Sequence, residues 1–168
     1  MKKWILYEDN HIIIVNKPPR IPVQGDKTGD TTLLDIIKDY IKKEYNKPGN
    51  VYLGLPHRID RPTSGIVVLS KTSKSLSRMT ALFREKKIKK QYWAVVKKKI
   101  TPNNGSLVNF LKKNKSINKS FVSENEKKGY LKAELDYQLI KELNNYSLYE
   151  IVLITGRHHQ IRVQLSHI

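Results

Sequence analysis

Residues 57–65 read HRIDRPTSG and run straight into GIVVLSK, residues 65–71. One carboxylate, Asp60, stands between Arg58 and Arg61, after which Pro62 breaks the chain and Thr63, Ser64 and Gly65 turn it. Proline fixes its own backbone and glycine frees the turn, so Asp60 is expected on a rigid loop ahead of a buried strand. If 57–60 is extended, Arg58 and Asp60 project to one side and Arg61 to the other. Neighbouring cations favour the ionised carboxylate. That state suits a nucleophile and not a general acid. On these residues alone, an exposed loop ion pair of little energetic value is the competing reading.

The flanking chain has the texture of an α+β domain. Residues 5–7 and 11–16 read as two short strands about an Asp9-Asn10 turn, and 17–30 (KPPRIPVQGDKTGD) as a loop. A helix is predicted over 32–44, with Leu33, Ile36, Ile37, Tyr40 and Ile41 on one face, Thr32 and Asp35 forming a capping box, and Pro48-Gly49 beyond its end. A second is predicted over 73–86, burying Leu76, Met79, Leu82 and Phe83. In KKQYWAVVKK, Tyr92, Ala94 and Val96 alternate with Trp93 and Val95, as in a strand. Residues 106–122 suggest a lysine-rich hairpin or insertion. Residues 130–143 and 146–156 suggest two long strands joined at Asn144-Asn145. GRHHQIRVQLSHI, residues 156–168, reads as a turn into a helix burying Ile161, Leu165 and Ile168. Frequent hairpins imply a mixed, mostly antiparallel sheet with flanking helices.

Bulk properties narrow the function. A chain of 168 residues, 39% hydrophobic, can bury a core as one domain. With no cysteine, disulfides and cysteine-ligated zinc are excluded. The first ten residues, MKKWILYEDN, carry too short an apolar run for a signal peptide, and the longest aliphatic runs are strand-sized. A cytoplasmic protein with no membrane partner is expected. The net charge of +17 points to a polyanionic partner, nucleic acid before an anionic membrane surface, with a lysine-rich compositional bias as the bland alternative.

Four ordered stretches then bear on one family. HRIDRPTSG resembles the HRLDxxTSG signature of RluA-type RNA pseudouridine synthases, with Ile59 as a conservative change. ILYEDNHIIIVNKPPRIPV resembles that family's opening strands and KP loop, KKQYWAVV its Lys-x-Tyr strand, and GRHHQIR its GRxHQIR segment. The resemblance spans nearly the whole chain, with gaps at 98–130. It implies a pseudouridine-synthase fold that isomerises selected uridines of ribosomal or transfer RNA without metal, nucleotide or other cofactor. The glycosidic C–N bond breaks, the base turns, and a C–C bond forms to its C5.

By matching position the resemblance makes Asp60 the nucleophile, acting at the sugar or at the base. Tyr92 would stack on the uracil and help remove the C5 proton, and Arg157 would pair with Asp60. Arg58 would fill the gap left by a flipped-out uridine. His57, Arg61, Thr63, Ser64, Lys89, Lys90, Gln160 and Arg162 complete the expected RNA-facing set, the lysines as phosphate contacts. Each has a plainer alternative. Tyr92 would be an ordinary strand aromatic, Arg157 a turn residue, and the lysines solvated charge. His57, His158 and His159 lack metal-ligand spacing.

Three departures stand out. Arg20 occupies a place where the family often has glycine, and no S4-type segment precedes the opening strand. The chain ends at Ile168, where family catalytic domains continue with further strands. Residues 1–168 are therefore expected to form a single catalytic domain lacking its C-terminal strands. Two rival functions remain: a non-catalytic RNA-binding protein of the same fold, and a glycosidase, which needs a second carboxylate that no motif supplies.

Overall fold

A computed structural model describes residues 2–25 and 28–168; Asp26 and Lys27 of the expected 17–30 loop lie outside the described residues. The chain divides into two compact units, Met1–Lys87 and Ile88–Ile168. Both are α+β, and every strand pairing among the described residues is antiparallel.

The first unit opens with a short 3-10 turn, Lys2–Trp4, then β1 (Ile5–Glu8) and β2 (Ile12–Lys17). Asp9 closes the turn between them, its Oδ1 accepting the N–H groups of His11 and Ile12, both at 2.7 Å. β3 (Gly65–Ser70) pairs with β2, giving a three-stranded sheet in the order β1-β2-β3. Strand alternation puts Ile13, Val15 and Lys17 on the inner face of β2, opposite Leu69, Val67 and Gly65. The four aliphatics are fully buried, each contributing about 2 kcal/mol.

Helix α1 (Leu33–Glu44) has the predicted capping box. Thr32 Oγ1 accepts from the Asp35 N–H at 3.1 Å, and Asp35 Oδ2 accepts from the Thr32 N–H at 3.0 Å. It buries Leu33, Ile37 and Ile41. Helix α2 (Ser73–Arg84) is capped by Thr72 and half-buries Leu76, Met79 and Phe83. Leu82, expected on the buried face, is exposed. The step from Met79 to Leu82 rotates it off the stripe completed by Phe83.

A polar knot ties β1 to α1 and to the end of β3. Glu8 receives Lys71 Nζ at 2.6 Å and the hydroxyls of Tyr45 and Tyr40 at 3.0 and 3.2 Å. Burial opposes the charge of Glu8, but Lys71 and the two tyrosines outweigh it and hold the carboxyl below its usual range. Burial and the Glu8 charge together push the Tyr40 phenol up to about 12. A depressed carboxyl contributes stability above its unfolded value, lost as pH falls through the folded one. A raised phenol contributes below its unfolded value, lost as pH rises through the folded one. The first unit is therefore expected to be most stable between about pH 5 and 10. Glu8→Gln should cost about 2–4 kcal/mol at neutral pH by leaving Lys71 uncompensated, and should flatten the acid limb. Urea melts of both proteins from pH 3 to 8 check this. Parallel acid limbs would exclude Glu8 as their source.

The second unit holds β4 (Lys90–Val96), β5 (Asn104–Asn114), β6 (Lys119–Ser123), β7 (Leu131–Glu142) and β8 (Ser147–Leu153), in the spatial order β4-β8-β7-β5-β6. The lysine-rich 106–122 segment is thus the β5–β6 hairpin. One sheet face carries Leu135, Tyr137, Tyr149 and Ile151, with Tyr92, Ala94 and Val96 packed against them. Helix α3 (Gln160–His167) adds Ile161 and Leu165 to this cluster.

The burial of α3 differs from expectation. Ile168 lies past the helix end and is exposed, while Gln160 and Gln164 are its two buried residues. The amide nitrogen of each is hydrogen-bonded, although Gln164 Oε1 is buried without a partner. Gln164 Nε2 donates to Asn109 Oδ1 at 2.8 Å and reaches the carbonyls of Leu107 and Ala133 at 3.3 Å. No helix among the described residues is long and apolar enough to cross a membrane.

Candidate active site

In the first unit, the HRIDRPTSG turn is built around Ile59, which is buried, with Asp60 half-buried and Arg58 exposed on either side of it. The Thr63 N–H donates to the Asp60 carbonyl at 3.1 Å, closing the turn, and Ser64 is exposed. Gly65 then takes φ +135°, a conformation that L side chains rarely adopt. His57 faces inward. Its Nε2 accepts the Val68 N–H at 2.9 Å, and its ring stacks on Phe83 with centroids 4.5 Å apart.

Arg61 braces the loop. Its Nε donates to the Arg20 carbonyl at 3.1 Å, Nη1 to Thr28 at 3.3 Å, and Nη2 pairs with Asp30 at 2.7 Å. The Arg61 carbonyl in turn accepts the Arg20 N–H at 2.8 Å. Arg20, where glycine was the expected residue of the resembled pattern, adopts φ 71°, the left-handed conformation that glycine favours.

The residue that sequence reasoning missed is Lys17. Its side chain is fully buried, and Nζ donates to the carbonyls of Ile21, Pro18 and Arg61 at 2.8, 2.9 and 3.2 Å. One ammonium therefore joins the end of β2, the loop after it and the turn carrying Asp60. Burial pushes the Lys17 ammonium below its ordinary value, and the negative charge of Asp60 acts against that shift. The available signal was the alternation Ile13, Val15, Lys17, which puts the lysine at the third inward position of β2.

In the second unit, Tyr92 is half-buried on β4, opposite Ile151, and packs against the cluster of Leu135, Tyr137, Tyr149 and Ile151. Lys89 is exposed, whereas Lys90 is half-buried and donates to the Thr155 carbonyl at 3.2 Å. The turn after β8 converges on Gln160. Its Oε1 accepts from Thr155 Oγ1 at 2.8 Å and from the Arg157 N–H at 2.9 Å, while Nε2 donates to the Glu134 carbonyl at 3.0 Å. Arg157 is exposed, with Nε donating to the Lys132 carbonyl at 2.9 Å, and Arg162 is exposed on α3. His159 begins α3 in a left-handed conformation, its ring stacked on His158 at 3.7 Å.

Gln160 thus positions the backbone of Arg157. Gln160→Leu keeps the bulk but strands two donors and an acceptor, an expected loss of about 2–3 kcal/mol. Gln160→Glu, which keeps the two acceptor bonds, should lose less. A denaturant series on both variants checks the order; equal losses would mean that the bonds accepted by Oε1 contribute nothing.

Expected residues 57–64 thus fall in the first unit, around Lys17. Lys90, Arg157 and Gln160 meet at the turn after β8, with Tyr92 on the neighbouring strand. Asp30, Glu134 and Thr155, which help hold these turns, carry no local signal in the sequence.

The chain is 39% identical over 163 residues to ribosomal large subunit pseudouridine synthase C of Buchnera aphidicola subsp. Acyrthosiphon pisum, covering 97% of this chain and 50% of that protein. It is 32% identical over 169 residues to synthase D of Borreliella burgdorferi, covering 98% and 51%. The chain therefore spans about half the length of these curated relatives. Among solved structures, human RNA pseudouridylate synthase domain containing 4 matches with a TM-score of 0.83 at 25% identity, over 99% of this chain and 64% of that one. The sequence model described as RNA pseudouridylate synthase matches residues 11–167, and the chain belongs to that family.

Proposed function

We propose that this chain isomerises uridine in RNA to pseudouridine, with Asp60 as the nucleophile. The observation that carries the reading is the turn holding Asp60, closed through Thr63 and tied by its Arg61 carbonyl to the buried Lys17 ammonium. A fixed carboxylate beside a buried cation suits nucleophilic attack, at the sugar or at the base of a flipped-out uridine. Once the C–N bond is broken, the base turns and C5 bonds to the sugar. The C5 proton is removed and N1 gains one, so atoms balance with no co-reactant. Tyr92 stacks on the uracil and assists at C5, and Arg157 supplies a cation to the reaction. Arg58 fills the vacated stack, while His57, Arg61, Thr63, Ser64, Lys89, Lys90, Gln160 and Arg162 form or support the RNA-facing surface.

The two bacterial relatives are named as synthases of the large ribosomal subunit. We take ribosomal RNA as the substrate ahead of transfer RNA on that basis. The test is to map pseudouridine in cellular RNA with and without the gene, and to incubate the purified chain with unmodified RNA. Sites that vanish without the gene and return in vitro would support the reading. RNA binding with no product would replace it with a non-catalytic binding role.

A further inference from the structure

We infer that the β5–β6 hairpin is a second RNA-contact surface, which stacks an unpaired base on Phe121 and holds the adjoining phosphates with Lys112 and Lys119. The inference rests on the proposed RNA substrate but uses none of the residues assigned to the chemistry.

Its first ground is strand register. Lys112 is paired with Phe121 across the hairpin and Asn114 with Lys119. Paired and alternate residues share a face, so Lys112, Phe121 and Lys119 project together. Leu111 and Val122 alternate to the other face, the one that also carries Leu107 and receives α3. The lysine–phenylalanine group is therefore on the side away from the helix, where Phe121 is 47% exposed. A large aromatic between two exposed ammonium groups is the side-chain chemistry of single-strand recognition, a π-face for a base and cations for the backbone.

The second ground is charge. From Asn104 to Ser123 the hairpin carries Lys112, Lys113, Lys115 and Lys119 and no acidic residue. Lys71, Lys99 and Lys132, by contrast, pair with Glu8, Glu142 and Glu134. Among the described residues, none of the four hairpin lysines has an ion pair. Unneutralised like charge on one hairpin is unfavourable until a polyanion binds it.

The third ground is rigidity. Asn114 Oδ1 accepts from the Ser116 N–H at 3.0 Å and the Ser116 hydroxyl at 2.6 Å, fixing the turn. Lys112 Nζ lies 5.8 Å from the Tyr130 ring centroid, a cation–π contact that orients the ammonium. A preformed surface loses less conformational entropy on binding.

The experiment uses the full chain, with fluorescence anisotropy of a labelled single-stranded oligoribonucleotide and of a duplex of the same sequence. Phe121→Ala should weaken the single strand on the order of tenfold, leaving the duplex and the salt slope unchanged. Phe121→Tyr should restore affinity. Lys112→Gln with Lys119→Gln should lower the single-strand salt slope by about 1.4. Wild-type affinity and slope in these variants would overturn the inference, as would equal loss of single strand and duplex in Phe121→Ala. Pseudouridine formation by the wild type is assayed in the same preparations. Intact isomerisation with unchanged variant binding would overturn the hairpin surface alone. Neither product nor RNA binding by the wild type would overturn the proposed function and this inference with it.

Discussion

Asp60→Asn is expected to lower pseudouridine formation by at least roughly three orders of magnitude while leaving RNA affinity within about twofold. The amide has the shape of the carboxylate and fits the same turn. It lacks the charge and lone-pair reactivity needed to attack the sugar or the base. The Thr63 N–H closes the turn on the Asp60 backbone carbonyl, which the change leaves in place, so the turn should survive. The electrostatics supply an independent readout. Asp60 is the charge that counters the burial of Lys17. Removing it should therefore destabilise the first unit. Asp60→Glu restores the charge but moves the reacting oxygen by a methylene, so stability should recover more fully than turnover, which stays roughly a hundredfold low. Product assays and urea melts on the three proteins separate the two roles. Turnover by Asp60→Asn within about a hundredfold of the parent would sink the nucleophile assignment.

Much of this architecture can be read from local pattern, and the exceptions share a cause. The capping box at Thr32 and Asp35, the alternation of Tyr92 with Trp93, and the Asn144-Asn145 turn are all local signals, and all mark real elements. Helix α3 defeats the same logic, because its buried stripe is Gln160 and Gln164, residues that pattern reading assigns to solvent. Gln164 bonds to β5 and Gln160 to β7, tens of residues away in sequence, although Gln160 also accepts from the turn just before the helix. Arg61 is a similar case. Its position beside Asp60 is visible in the sequence, but its ion pair with Asp30 is made across the fold. The HRIDRPTSG stretch was legible as a turn leading into a strand. The groups that hold it still were not, since long-range hydrogen bonds leave no periodicity behind.

Lys17 carries that lesson furthest, and Lys17→Met should have the largest effect on stability of any substitution at the candidate site. Methionine nearly matches the length of the lysine stem and suits its apolar neighbours on β2, so loss of packing is small. What disappears is the ammonium and its bonds to Pro18, Ile21 and Arg61. Hydrogen bonds to a charged group are the stronger kind, and stranded buried acceptors are costly. A loss of about 3 kcal/mol is expected, lowering the melting temperature of the first unit by roughly 15 °C. Turnover should fall roughly a hundredfold even well below that melting point, because the Arg61 carbonyl anchors the turn that positions Asp60. Lys17→Arg tests whether charge alone suffices. The site is fully buried and sized for an ammonium, so the larger guanidinium should not rescue it. The discriminating measurement is turnover at 15 °C for the parent and both variants, beside circular-dichroism melts. A methionine variant as stable and as fast as the parent would show that Lys17 supports neither the loop nor Asp60. Lost stability with full turnover in the folded protein would confine its role to folding.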